Sequence, residues 1–196
     1  MNEASDVGMD INVADSCLWI MKSRLPDIEK FLIILLLRNG LRVSEICNTS
    51  NIRIIDKYKV YVWCTKNNTW RQCVTGEASE LLGTGQVEAD LTLWKRNRQY
   101  YYRVLKGLLP QVESMRVHNE PVTHAARNIV AQQVCDATES MQATRISIGN
   151  SSNRATARYI NREQRKAYQK DGLKGNISGT VSSINATVRG VLRRKS

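Results

Sequence analysis

Seven consecutive apolar residues, FLIILLL from Phe31 to Leu37, constrain this chain more than any other stretch. The run is too short to cross a bilayer, which takes about 20 apolar residues in helical form. It also stops abruptly at Arg38. A helix apolar on every side has no face to offer solvent and is buried. Pro26 lies just ahead and Gly40 just behind, so the pattern predicts a core helix from Asp27 to Arg38. A chain of 196 residues is long enough to wrap such a helix as one domain, or one domain with a tail.

A short helix from Val43 to about Cys47 follows, and then the period changes. KVYVWC (Lys59 to Cys64) and WRQCV (Trp70 to Val74) are rich in β-branched and aromatic residues and flank the turn-forming TKNNT. That predicts a β-hairpin with Lys66 at its tip. Helical character returns in WKRNRQYYYRVLKGLL, from Trp94 to Leu109, until Pro110 breaks it. Pro121 precedes a helix beginning near Thr123, read as its N-cap. Gly149 marks a further break. In the tail, Ile177, Val181, Ile184, Val188 and Val191 form one apolar stripe at helical spacing, ending in RRK. The expected class is α+β, mainly helical, with a small antiparallel sheet or hairpin. The expected organisation is an acidic lead-in over residues 1–14, a main domain over 15–170 and a basic helical tail over 171–196.

The formal charge of +11 and the pI near 9.7 point to a polyanionic partner, nucleic acid before membrane surface. The charge is uneven. The first thirty or so residues lean acidic, whereas the chain from Arg145 onward is strongly basic, interrupted only by Glu163 and Asp171. Five widely spaced cysteines without a CxxC pair argue against a disulfide framework, and with two histidines they argue against a zinc site. A reducing compartment is the simpler expectation. The acidic N-terminus is not that of a signal peptide.

Taken singly, the polar candidates read as ordinary: Arg42 on a helix surface, Lys66 on a solvated tip, His124 and Arg127 spaced i, i+3 on one helix face, Tyr159 as a packed aromatic. In order they form a set. LLLRNGLRVSEICN, the lysine-bearing hairpin, THAARNIVAQQV and IGNSSNRATARYI resemble the successive boxes of the tyrosine recombinase (phage integrase) catalytic domain, over about residues 15 to 165. The resemblance implies that family's fold and site-specific DNA recombination, DNA integration by mobile elements included. It assigns Arg42, Lys66, His124, Arg127, Asn150 and Tyr159 as the catalytic set, with no metal or other cofactor.

The implied chemistry is physically coherent. Tyr159 would attack the scissile phosphate, leaving a 3′-phosphotyrosine and a free 5′-hydroxyl, which conserves bond energy for rejoining. Arg42 and Arg127 would clamp the phosphoryl oxygens with paired N–H donors. Lys66 would protonate the leaving oxygen, and His124 would accept or relay a proton near the phenol. Lys95, Arg96, Arg98, Arg103 and Lys106, with Arg154 and Arg158, would track the DNA backbone. For Tyr100, Tyr101 and Tyr102 in the same stretch, core packing is an equal expectation. The partners implied are double-stranded DNA, three further copies of the chain in a tetramer on DNA, and accessory DNA-bending proteins, with no membrane. The tail would dock onto a neighbouring protomer. The setting would be the cytoplasm with its nucleoid, or the host cytoplasm for a phage-encoded chain.

Three departures stand out. Asn150 occupies the place of a histidine or tryptophan; its amide donates one hydrogen bond but moves no proton, a loss on the order of tenfold to a thousandfold. Ala126 and Asn128 replace a leucine and a second histidine. No room exists before residue 15 for the core-binding domain of most relatives, so the chain is a short recombinase like the fimbrial-switch invertases or a fragment of a longer one. Alternatives stay open: a catalytically weakened or inactive DNA-binding member of the same fold, a type IB topoisomerase-like enzyme, or an accidental match.

Overall fold

The computed structural model describes residues 13–108 and 122–160, without the side chains of 122–125. Residues 1–12 of the 1–14 lead-in and the tail stripe from Ile177 to Val191 lie outside the described residues, and Val13 and Ala14 open the first helix. The chain divides into two compact units at Ile129/Val130, inside one helix. Each unit is described by itself.

The first unit is built around α2 (Asp27–Asn39). The Pro26 carbonyl accepts from the backbone N–H groups of Glu29 and Lys30, at 2.9 and 3.1 Å, and so starts the helix. Asp27 and Glu29 in the first turn and Arg38 in the last complement the helix dipole. Gly40 ends it in the left-handed region, at φ 54°, where a Cβ is disfavoured. Ile28 and every residue from Phe31 to Leu36 are inaccessible to solvent, as the seven-residue run predicts. Around α2 pack α1 (Val13–Met21), α3 (Val43–Cys47), α4 (Gln86–Leu93) and α5 (Arg98–Leu108). Leu35→Ala should therefore cost about 2–5 kcal/mol, the range for emptying a packed core site, read as a lowered urea midpoint.

Three strands, β1 (Ile52–Asp56), β2 (Lys59–Cys64) and β3 (Thr69–Val74), form an antiparallel meander in that order. The predicted hairpin is β2–β3. The structure adds β1, an edge strand whose pattern is blurred because only Ile52 is fully buried and the register slips between Ile54 and Asp56. Asn39 ties the sheet to the end of α2. Its Nδ2 donates to the Val74 carbonyl and its Oδ1 accepts from the Val74 N–H, both at 2.9 Å.

Two boundaries move. The helix expected over Trp94 to Leu109 starts only at Arg98. Lys95 pairs with Asn48 in an isolated bridge, the Trp94 carbonyl lies 2.8 Å from the Thr49 hydroxyl, and Asn97 Oδ1 accepts from the Tyr100 N–H to start α5. The next helix, α6 (Val122–Thr138), already includes Thr123, the residue read as its cap.

The second unit holds the rest of α6, α7 (Met141–Ser147), α8 (Asn153–Thr156) and a closing 3-10 turn (Ala157–Tyr159). Its small core is Val130, Ala131 and Ile148, with Val134 and Tyr159 packed against it.

None of the five cysteines forms a disulfide. Burial pushes the Cys17 thiol from an ordinary 9.0 up to about 11, against the opposing pull of Arg38. Burial likewise raises Cys73 and the phenol of Tyr101. Held neutral in the fold, the Cys17 thiol makes a contribution to stability that is complete below pH 9 and lost as the pH rises through about 11. The urea midpoint should accordingly fall across that window, and Cys17→Ala should flatten the fall.

Candidate functional site

Arg42 sits at the N-cap of α3, two residues beyond the left-handed Gly40. Its side chain is fixed from two directions. Nη1 donates to Glu45 Oε1 at 3.0 Å and to Cys64 Sγ at 3.3 Å. Glu45 also accepts from the Arg42 backbone N–H at 2.8 Å, which satisfies an orphan donor of the helix start. Glu45 is 1% exposed and faces a second cation, Arg71 of β3, at 3.9 Å. One buried carboxylate thus stands between two arginines.

Arg127, on α6, is also 1% exposed, and its Nη1 donates to the Gly40 carbonyl at 2.7 Å. The two arginines picked out from the sequence therefore meet at one turn: Arg42 extends from it and Arg127 braces it. Lys66 lies exposed on the β2–β3 turn, which the Asn67 N–H closes onto the Cys64 carbonyl at 3.1 Å. Asn68 takes a left-handed φ of 51°, a conformation asparagine tolerates. Cys64, which holds Arg42, is two residues from Lys66. His124 lies on α6, and its side chain is outside the described residues.

In the second unit, Gly149 turns the chain at φ 64°. The Asn150 N–H then caps back to the Arg145 carbonyl at 2.9 Å. The Asn150 side chain is 7% exposed and its Nδ2 donates to Thr156 Oγ1 at 3.3 Å. The Thr156 hydroxyl in turn donates to the Ser152 carbonyl at 3.0 Å, and Ser152 Oγ caps α8 through the Ala155 N–H. This short relay ties the Asn150 turn to the segment that ends in Tyr159. The Tyr159 ring is half-buried against Val130, Ala131 and Ile148, so it is packed as well as presented.

The basic-aromatic stretch buries part of its aromatic side and leaves its cations in solvent. Tyr101 and Leu105 are core residues, and Tyr100 donates to buried Glu29 at 2.5 Å. Lys95, Arg96, Arg98, Arg103 and Lys106 stay exposed, with the Arg96 guanidinium 4.0 Å from the Trp94 ring centre. Arg154 and Arg158 are exposed beside Tyr159 in sequence.

Reasoning from sequence missed Arg71, Cys64, Asn39 and Thr156 as supports. Thr156 alone left a signal, since it opens the Thr-x-x-Tyr pattern; the rest follow from strand pairing. Among the described residues, no cluster of His, Cys, Asp or Glu is arranged to hold a metal ion. No described helix is long and apolar enough to cross a membrane.

No family model and no curated protein matches this sequence. Solved structures do match. XerH site-specific recombinase bound to a palindromic difH substrate, in a post-cleavage complex, superposes with a TM-score of 0.59 at 11% identity. Its pre-cleavage complex gives 0.58 at 12%, and XerA recombinase 0.53 at 17%. This is a tyrosine-recombinase-like fold. The superposition covers 83–84% of this chain but only 51%, 53% and 64% of those chains, so the chain spans less than two thirds of each. The tyrosine-recombinase-like fold accounts for the mainly helical architecture with one small antiparallel sheet.

Proposed function

We propose that this chain is a site-specific DNA recombinase that cuts and rejoins double-stranded DNA through a 3′-phosphotyrosine on Tyr159. The observation that carries the reading is the turn at Gly40–Arg42. There a buried Arg127 braces the Gly40 carbonyl beside a carboxylate-braced Arg42, and Cys64 connects Arg42 to the strand that leads to Lys66. Two fixed guanidiniums, with a lysine on the turn two residues beyond Cys64, are the groups a dianionic phosphoryl transition state calls for. In this reading Arg42 and Arg127 hold the non-bridging oxygens, Lys66 protonates the departing 5′-oxygen, and His124 takes or relays the phenol proton. Asn150 donates one hydrogen bond. Lys95, Arg96, Arg98, Arg103, Lys106, Arg154 and Arg158 contact backbone phosphates. The XerH structures hold difH substrate before and after cleavage, which supports DNA as the partner. Assembly as a tetramer on DNA, docking of the tail over 171–196 in trans and help from DNA-bending proteins belong to the same proposal. So does work in the nucleoid, or in a host cytoplasm for a phage-encoded chain.

The test is covalent capture. Purified protein is incubated with nicked duplexes from the region flanking its own gene, then denatured. A denaturant-resistant adduct is expected. Its absence in both the native protein and Asn150→His would overturn the proposal.

A second reading, a DNA-binding member with a weakened active site, is favoured by one observation. The Asn150 amide already gives one N–H to Thr156 and, unlike a histidine, transfers no proton. Asn150→His should raise the rate of adduct formation by about tenfold to a thousandfold, the scale of one transition-state donor. An unchanged rate would mean that Asn150 already serves fully.

A further inference from the structure

The solvent face of the sheet carries an aromatic platform for which strand cleavage has no use. Alternation along the strands sends Ile52, Val60, Val62, Cys64 and Cys73 into the core. The opposite face is left with Arg53, Tyr61, Trp63 and Trp70. The register sets Trp63 directly across from Trp70 and Arg53 across from Tyr61. The two indoles meet edge to face, with centres 5.3 Å apart and planes at 63°. The Arg53 guanidinium reaches diagonally over the sheet to lie 4.2 Å from the Trp70 ring centre. Tyr61 and Trp70 each remain 36% exposed. The rings are therefore locked by one another and by a cation, yet still open to solvent.

Such a surface is complementary to a nucleotide with its base unstacked. Flat aromatic faces accept bases of any sequence by stacking, and guanidinium and ammonium groups take the phosphates. Of the basic residues between Ile52 and Val74, Arg53, Lys57, Lys59 and Lys66 reach solvent, while Arg71 turns inward to Glu45; the one acidic residue in the stretch is Asp56. Asp56 is itself paired with Lys59 at 4.0 Å. A duplex would engage the cations but keeps its base faces hidden in the stack. An apolar protein surface would cover the rings but gain nothing from the positive charge.

We propose that the outer sheet face binds single-stranded DNA, with unpaired bases stacked on Tyr61 and Trp70 and a phosphate held by Arg53. This goes beyond the cleavage reading and does not depend on Tyr159.

The test uses the full chain and a fluorescein-labelled oligo(dT) of about ten nucleotides, within the range of one such site. Anisotropy should show binding, and a duplex of equal length should not displace the oligonucleotide from this face. Trp70→Ala and Tyr61→Ala should each weaken binding by about tenfold, the scale of one lost stacking contact. Trp70→Phe should restore most of it, and Arg53→Gln should weaken binding and flatten its salt dependence. Photo-cross-linking of the unaltered protein to an iodouracil-bearing oligonucleotide should place adducts on Tyr61, Trp63 or Trp70. Cross-links confined to other segments would overturn the proposal, as would binding indifferent to both alanine substitutions. Equal weakening of duplex binding by Trp70→Ala would also overturn it, because the face would then be reading backbone alone. The same series in Tyr159→Phe should give the same affinities, so failure of this proposal and failure of the cleavage reading are distinguishable.

Discussion

Tyr159→Phe should abolish the covalent DNA adduct, lowering strand cleavage by about a million-fold, the scale seen when a catalytic nucleophile is removed. The substitution is clean on structural grounds. Phenylalanine keeps the ring that packs on Val130, Ala131 and Ile148 and deletes only the hydroxyl. The stability change should stay within about 1.5 kcal/mol, the worth of a single hydrogen bond. Affinity for duplex DNA should survive, because the cations proposed to contact the DNA backbone are untouched. The measurement is a denaturing gel for the adduct beside a binding isotherm and a urea melt on the same preparation. An adduct that persists in Tyr159→Phe would remove Tyr159 from the mechanism. A melt shifted by several kcal/mol would instead show that the hydroxyl is part of the second unit's packing.

Glu45→Ala has the largest expected effect on the fold at the site. Glu45 is buried between Arg42 and Arg71 and also accepts from the Arg42 N–H. Removing the carboxylate leaves two arginine side chains, 18% and 9% exposed, with their shared counter-charge gone. Breaking a buried ion pair costs about 3–5 kcal/mol, and the partial exposure of Arg42 argues for the lower end. Glu45→Gln keeps an acceptor for the Arg42 N–H and should lose less. Both variants should slow cleavage beyond their effect on stability, because the Arg42 guanidinium loses the partner that aims it. Urea melts give the first quantity, and single-turnover cleavage at a temperature where both variants are folded gives the second. Equal cleavage rates in Glu45→Ala and the native chain would show that Cys64 alone suffices to orient Arg42.

Much of the architecture was legible before any coordinates, and the reasons are local. The apolar run with Pro26 and Gly40 at its ends specifies a buried helix, because propensity, pattern and capping agree within about fifteen residues. The β2–β3 hairpin was equally readable, since both strands and their turn are contiguous. β1 was not, because an edge strand with one face in solvent and a slipped register shows little alternation. The start of α5 was misplaced for a related reason. Trp94 to Asn97 have helical composition, but Asn48 and Thr49, far away in sequence, draw that backbone into a bridge and a hydroxyl contact.

The site divides along the same line. Arg42, Lys66, His124, Arg127, Asn150 and Tyr159 stand out in the sequence because short boxes in a fixed order carry them. Their supports do not stand out. Arg127 reaches Gly40 across 87 residues, Asn39 reaches Val74 across 35, and Cys64 reaches Arg42 across 22. The sequence by itself determined the buried helix, the hairpin and the basic character, all of which depend on near neighbours or on composition, and it supplied the residues proposed to bear chemistry. Only the tertiary structure decided which buried carboxylate neutralises which arginine, which carbonyl Arg127 braces and which aromatic face stays open. Those pairings depend on where the chain returns to itself, and burial makes each of them energetically consequential only once the surrounding core has excluded water.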